Sequence, residues 1–126
     1  MEFLLLVCTD STAPEYRAED DNIEEWMDEV VRRGMSRVGD RLRRPADATT
    51  VRVRDGAVSV TDGPFVETKD WIAGFDLLEC ADLDDAIDIA SRHPMARYGQ
   101  IEIRPVWPLR PEPEAAATTS AGSSEG

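Results

Sequence analysis

The clearest secondary-structure signal in the chain is the stretch Val51-Arg52-Val53-Arg54-Asp55-Gly56-Ala57-Val58-Ser59-Val60. Apolar and polar residues alternate on both sides of Asp55-Gly56, a pair typical of the two-residue turn of a β-hairpin. Such a turn sets Val53 opposite Val58 and Val51 opposite Val60. We therefore expect a hairpin whose four valines share one face, while Arg52 and Ser59 share the other.

The residues after the hairpin predict a sharp corner and then another strand. In Thr61-Asp62-Gly63-Pro64, glycine permits a positive φ and proline cannot donate a ladder hydrogen bond, so the strand is expected to end there. Residues 71–79 return to strand, with Trp71, Ala73, Phe75 and Leu77 on one side.

Upstream, the sequence predicts a strand, a helix and a short second strand. Residues 1–8 are apolar and read as a buried strand, and residues 36–42 as a short mixed one. Thr12-x-x-Glu15 resembles a capping box at a helix start. An apolar stripe at helical spacing follows and stops at Gly34, which suits a helix end. Its members are Ile23, Trp26, Met27, Val30 and Val31.

Downstream, Asp82 is expected to cap a second helix that ends at His93-Pro94. The predicted apolar face of this helix consists of Leu83, Ala86, Ile87 and Ala90. Residues 100–104 alternate again and predict a last strand. Residues 1–109 are expected to form one domain, and residues 110–126, which lack large apolar side chains, a disordered tail.

The predicted element order indicates an α+β protein with a ferredoxin-like β-α-β-β-α-β core and an inserted β-hairpin. Both helices would pack on one face of an antiparallel sheet. If the other face carries many apolar side chains it needs a cover, and a second copy of the chain would supply it. A sheet-to-sheet homodimer is therefore expected.

Composition limits the possible partners and compartments. A net charge of −12 disfavours nucleic acid as a direct partner. Acids concentrate in residues 15–29 and arginines in residues 32–54. This pattern indicates either solvated surfaces or a basic rim for an anionic ligand or an acidic partner surface. No segment is apolar enough to predict a membrane span, and the acidic start does not resemble a signal peptide. Cys8 and Cys80 lack metal spacing and predict reduced core thiols, so a cytoplasmic location is expected.

The run that follows the corner carries the candidate site. Asp62, Glu67 and Asp40 are the candidate catalytic carboxylates, because no phosphate loop, metal motif or nucleophile elbow is present and no cofactor is implied. The alternative is that these acids only bond turn amides or water. The candidate ligand-binding residues are Phe65, Thr68, Lys69, Trp26 and Arg41. Trp26 could equally belong to the core, and His93 most simply stabilises a helix end.

Several segments together resemble the YCII-related, DGPF-type proteins. They are residues 47–52, Val60 to Lys69 with Asp62-Gly63-Pro64-Phe65 at its centre, Gly74-Phe75, residues 82–86 and residues 103–106. The resemblance implies a dimeric α/β barrel in which two sheets pack face to face beside a cleft. Some relatives carry a His-Asp pair proposed as an active site, whereas this chain has no histidine before His93.

Two functions follow as hypotheses. The leading one is a homodimeric protein that binds a small molecule and could act on it by carboxylate acid/base chemistry without a cofactor. The rival is a regulatory interaction module, because the resemblance also implies a link with extracytoplasmic-function sigma factors.

Overall fold

The computed structural model describes residues 1–110, which form an α+β structure with two antiparallel sheets. The strands are β1 (Glu2–Cys8), β2 (Ser36–Arg41), β3 (Thr49–Arg54), β4 (Ala57–Asp62), β5 (Ile72–Glu79) and β6 (Gln100–Pro105). The helices are α1 (Ile23–Arg32), α2 (Leu83–Ser91) and α3 (Pro94–Tyr98), with short 3₁₀ turns at Ala18–Asp20 and Pro45–Asp47. Four strands pair in the order β2-β5-β1-β6, and β3 pairs with β4 in a separate hairpin. This arrangement is compatible with a ferredoxin-like fold that contains an inserted hairpin.

The four-stranded sheet has one covered face and one open face. Phe3 and Leu5 of β1 are buried in the same core as Trp26 of α1 and Ile89 of α2. Because side chains alternate along a strand, the intervening residues point to the opposite side, away from the helices. We call that side the open face. Its apolar residues are Leu4, Leu6, Val38, Ala73, Phe75 and Leu77.

The hairpin is confirmed with the predicted register. Val51 pairs with Val60 and Val53 with Val58. Asp55 and Gly56 have φ values of 52° and 78°, as expected for a tight hairpin turn with two left-handed residues. The four valines remain 56–67% exposed, because no other element within residues 1–110 covers their face.

The predicted capping box at Thr12-x-x-Glu15 is wrong. The Thr12 hydroxyl donates to Asp10 Oδ1 at 2.7 Å, and α1 begins only at Ile23, whose N–H donates to Asp21 Oδ1 at 3.0 Å. Thr12 therefore takes part in a local turn with Asp10 and does not cap a helix. Along α1, Trp26 and Val30 are buried while Met27 and Val31 are exposed, so the buried stripe is narrower than the sequence indicates.

The second helical region differs from the prediction in its face and its end. Asp82 is the cap, and its carboxylate accepts from the Asp85 N–H at 2.9 Å. Ala86, Ile89 and Ala90 are the buried residues, whereas the predicted Leu83 and Ile87 are about half exposed. A further short helix, α3, begins at Pro94 because proline is well suited to the first helical turn.

The predicted tail, residues 110–126, lies outside the described residues apart from Arg110. Among residues 1–110, no helix combines the length and apolar character that crossing a membrane would require.

Candidate functional site

A cleft of about 980 Å³ lies at one end of the sheet, beside the base of the hairpin. One wall is the segment that joins β2 to β3, residues 42–48, which we call the arginine turn. The other is the segment from the corner to the start of β5, residues 64–72, which we call the corner segment. Cys8 of β1 and the start of β6 also border the cleft.

Hydrogen bonds to backbone carbonyls fix both walls at their bases. The Gly63 N–H donates to the Ala48 carbonyl at 2.7 Å, and the Thr50 hydroxyl donates to the Gly63 carbonyl at 2.8 Å. Gly63 has φ +100°, a conformation that glycine adopts at little cost. The Leu42 N–H donates to the Ala73 carbonyl at 2.8 Å. The corner and the arginine turn therefore meet the hairpin and the sheet at defined positions.

A network around Thr9 holds the far end of the corner segment against β1. The Trp71 N–H donates to Thr9 Oγ1, and the Thr9 N–H donates to the Trp71 carbonyl, both at 2.9 Å. Asp70 Oδ1 accepts from the Ser11 N–H at 2.9 Å and from the Thr9 hydroxyl at 3.3 Å. The Asp70 carboxylate is consequently used to position the segment.

The cleft surface is largely apolar, and aromatic side chains lie at its rim. Phe65 is 88% exposed and Trp71 41% exposed. The other apolar lining residues are Cys8, Leu42, Pro45, Ala48, Pro64, Val66, Ile72 and Ile101. Exposed aromatic groups beside a concave apolar surface favour a ligand with an apolar body.

The charged groups of the cleft come from several segments. Arg43, Arg44 and Asp47 belong to the arginine turn, and Glu67 to the middle of the corner segment. Glu102 of β6 is ion-paired with Arg104, and Gln100 donates to the Thr9 carbonyl at 3.1 Å.

Cys8 is half-buried at the cleft rather than enclosed in the core as the sequence predicts. Burial raises the pKa of its thiol, and the charges of Glu102 and Asp70 raise it further. The thiol donates weakly to the Leu6 carbonyl at 3.4 Å. It is therefore protonated at neutral pH and is a poor nucleophile. Cys80 lies in the core, where burial raises the pKa of its thiol to about 11.

The structure brings only some of the predicted site residues together. Phe65, Glu67 and Thr68 line the cleft, and Lys69 lies in the same segment with its side chain exposed. Asp62 ends β4 opposite Thr49 and is not among the lining residues.

The remaining predicted residues lie elsewhere. Asp40 and Arg41 are on β2, paired with Phe75 and Gly74 of β5. Trp26 is 2% exposed in the core, and its indole N–H donates to the Ile89 carbonyl at 2.8 Å.

His93 has a structural environment. It is 6% exposed, lies edge to face against Trp26 at 4.6 Å between ring centroids, and accepts from the Met95 N–H through Nδ1 at 2.9 Å. Burial lowers the pKa of His93 to about 4. The imidazole is therefore neutral at physiological pH and caps α3.

Sequence reasoning did not single out Asp76 as a notable group. Asp76 lies on β5 beside Gly39, and burial followed by the charge of Asp40 raises its pKa to about 6. The sequence feature that could have indicated it is an acidic residue between Phe75 and Leu77 in a predicted strand that is otherwise mostly apolar. Within residues 1–110, no cluster of three or more histidine, cysteine, aspartate or glutamate side chains is arranged to hold a metal ion.

Comparison with known proteins identifies relatives of the chain. The model of the YCII-related domain family matches residues 1–110. The chain is also 41% identical, over 73 residues, to an uncharacterized protein of Rhizobium meliloti (strain 1021). That match covers 56% of this chain and 59% of the relative, so the chain spans less than two thirds of the relative's length.

Proposed function

The chain belongs to the YCII-related family, and we propose that it is a homodimeric protein that binds a small molecule in the cleft between the arginine turn and the corner segment. The observation that carries this proposal is the cleft itself. Its volume of about 980 Å³ suits a small organic ligand, and its lining is apolar with a few charged groups, as in most ligand pockets. Its walls are hydrogen-bonded to the sheet, which favours a preformed site.

The open face supports the homodimer. Leu4, Leu6, Phe75 and Leu77 form its centre, and Val38 at the edge strand is 50% exposed. These apolar side chains are partly exposed, and charged residues (Asp40, Glu102 and Arg104) flank them on the same face. An apolar cluster with a charged rim favours association with a complementary surface. A two-fold pairing of identical open faces would cover both copies with one interface.

The hairpin is a second surface that a partner copy would cover. A two-stranded hairpin is only marginally stable by itself in water, and the residues that the structure describes leave its valine face exposed. We propose that the second copy also covers Val51, Val53, Val58 and Val60.

A reaction on the bound molecule would use Glu67 as its acid/base group. Of the three candidate carboxylates, Glu67 alone lines the cleft, whereas Asp62 and Asp40 lie outside it. Thr68 and Lys69 follow Glu67 directly and would contact or attract the ligand. The proposed chemistry is proton transfer without a cofactor.

The regulatory module is a second candidate, and the exposed valine face of the hairpin favours it. Such a module, including one that contacts an extracytoplasmic-function sigma factor, would bind a protein through that face. Its partner binding would survive closure of the cleft and would be lost on Val58→Asp.

The binding proposal is tested with 2-naphthamide, an uncharged aromatic probe, and a variant that fills the cleft. Ala48 lines the cleft, so Ala48→Trp should abolish saturation-transfer NMR signals of the bound probe. Ala57→Trp makes the same change beside the hairpin turn and is the matched control. Loss of signal in the first variant alone supports the proposal. Equal binding by both variants, or no binding of either 2-naphthamide or 2-naphthoate by the parent protein at millimolar concentration, would overturn it.

A further inference from the structure

Arg43 and Arg44 share a single carboxylate at the edge of the cleft. Arg43 Nε lies 3.3 Å and Arg44 Nε 3.4 Å from the same oxygen, Asp47 Oδ2. Both arginine side chains are largely exposed, at 85% and 75%. Two positive charges are therefore balanced by one negative charge within the arginine turn.

The terminal guanidinium nitrogens of both arginines remain available to a ligand. The closest contact of each arginine with Asp47 is made by Nε, and within residues 1–110 neither arginine forms an ion pair with another residue. An arginine presents its Nη groups as a planar fork that matches a carboxylate or sulfonate. The arginine turn thus offers donors for an anionic group at the boundary of an apolar cleft.

The rest of the lining limits the charge that the ligand can carry. Glu67, Asp70 and Glu102 border the cleft from other segments and would repel a second negative group. Leu42, Trp71 and Ile72 would contact the uncharged part of a ligand. A molecule with one anionic end and an apolar body would match these groups.

We propose that the cleft binds an amphipathic monoanion, such as an aromatic carboxylic acid, whose anionic group is held by Arg43 and Arg44. This proposal rests on the proposed ligand-binding function and specifies the class of ligand. Asp47 forms an ion pair with both arginines, and for Arg43 the contact is also a hydrogen bond from Nε.

The test compares two probes of nearly equal shape, 2-naphthoate and 2-naphthamide, by titration calorimetry on the full chain. The carboxylate should bind at least about tenfold more tightly than the amide, since a hydrogen bond to a charged group is stronger than one between neutral groups. Its advantage should shrink as salt is raised, because both guanidinium groups are exposed.

Matched variants locate the effect. Arg43→Gln/Arg44→Gln should reduce naphthoate affinity about tenfold or more and leave naphthamide affinity unchanged. Arg52→Gln/Arg54→Gln removes the same net charge from β3 and should leave both affinities unchanged. Equal affinity for both probes, or equal losses in the two double variants, would overturn the proposal.

The ligand class and the function can fail separately. If both probes bind equally and Ala48→Trp abolishes both, the cleft is a binding site but does not prefer anions. If Ala48→Trp affects neither, the cleft is not the site and the proposed function fails with the ligand class.

Discussion

The Asp76 carboxylate occupies the space beside Gly39 on the neighbouring strand. The two residues are paired across β5 and β2, and a methyl group added at Gly39 would overlap Asp76 Oδ1 and lie 2.9 Å from the Phe75 carbonyl oxygen. Glycine is required here by this close approach and not by its backbone angles. The half-buried carboxylate and the missing side chain are thus two parts of one packing arrangement.

Gly39→Ala should destabilise the fold by about 1–3 kcal/mol, the usual cost of inserting atoms into a filled site. Urea unfolding measures the change. In the background of Asp76→Ala the same substitution should cost less, because only the Phe75 carbonyl remains in contact. Equal costs in the two backgrounds would show that Asp76 does not fill the space.

Asp76→Asn should stabilise the protein at high pH. The folded pKa of about 6 lies above the ordinary value of about 3.9, so the folded state holds this proton more tightly than the unfolded state. The resulting stability is fully present below about pH 4 and is lost as pH rises through about 6. The variant should therefore melt at a higher temperature than the parent at pH 8, with the difference vanishing near pH 4.

Asp28→Asn, on the exposed side of α1, is the control for Asp76→Asn. It removes the same negative charge from a residue that is exposed to solvent. A melting difference for Asp76→Asn that is no larger at pH 8 than at pH 4, or that the control reproduces, would contradict the assignment.

His93 should make the fold less stable at low pH, the reverse of the effect of Asp76, and His93→Asn should remove this dependence of stability on pH. The folded pKa of about 4 lies below the ordinary value of about 6.5, so protonation favours the unfolded state. This contribution, about 3 kcal/mol, is present above pH 6.5 and is lost as pH falls towards 4. Asparagine can still accept the Met95 N–H as a helix cap. The parent should lose more stability than the variant between pH 7 and pH 4.5 in denaturant titrations, and parallel losses would contradict a buried neutral histidine.

Local chemistry made much of the fold predictable. The hairpin register follows from Asp55-Gly56 and from the alternation of apolar and polar residues around it. The helix cap at Asp82 follows from its carboxylate, which lies three residues before the Asp85 N–H from which it accepts a hydrogen bond. Features that depend on distant packing were missed. Leu83 and Ile87 have helical spacing with Ala86, but the side of α2 that carries Ile89 belongs to the core cluster with Phe3 and Leu5 of β1.

The site was less predictable than the fold, because it is assembled from segments far apart in sequence. The sequence indicates Glu67 and Thr68 as candidates because they follow the corner, and both line the cleft. Nothing in the local pattern indicates that they share a cleft with Arg43, Cys8 and Glu102, since that proximity depends on the pairing of β1 with β5 and β6. A tryptophan can stack on a ligand, but Trp26 lies on the buried stripe of α1 and belongs to the core.

Val38→Glu should weaken the proposed dimer at least about tenfold, which corresponds to about 1.4 kcal/mol. Val38 is half exposed on the open face of a single chain, so a buried charge would oppose association more than folding. Sedimentation equilibrium measures the shift. Val31→Glu makes the same change on α1, on the helical side, and should leave the dimer intact. A monomeric parent at micromolar concentration would rule out the dimer.

The most direct test of the account is chemical-shift mapping of 2-naphthoate binding on the full chain by NMR. We predict that the perturbed backbone amides cluster in residues 42–48, 64–72 and 100–102, with the largest changes next to Arg43, Arg44 and Glu67. Perturbations confined to the hairpin valines or to the open face would contradict the account, because the probe would then bind an uncovered apolar surface instead of the cleft.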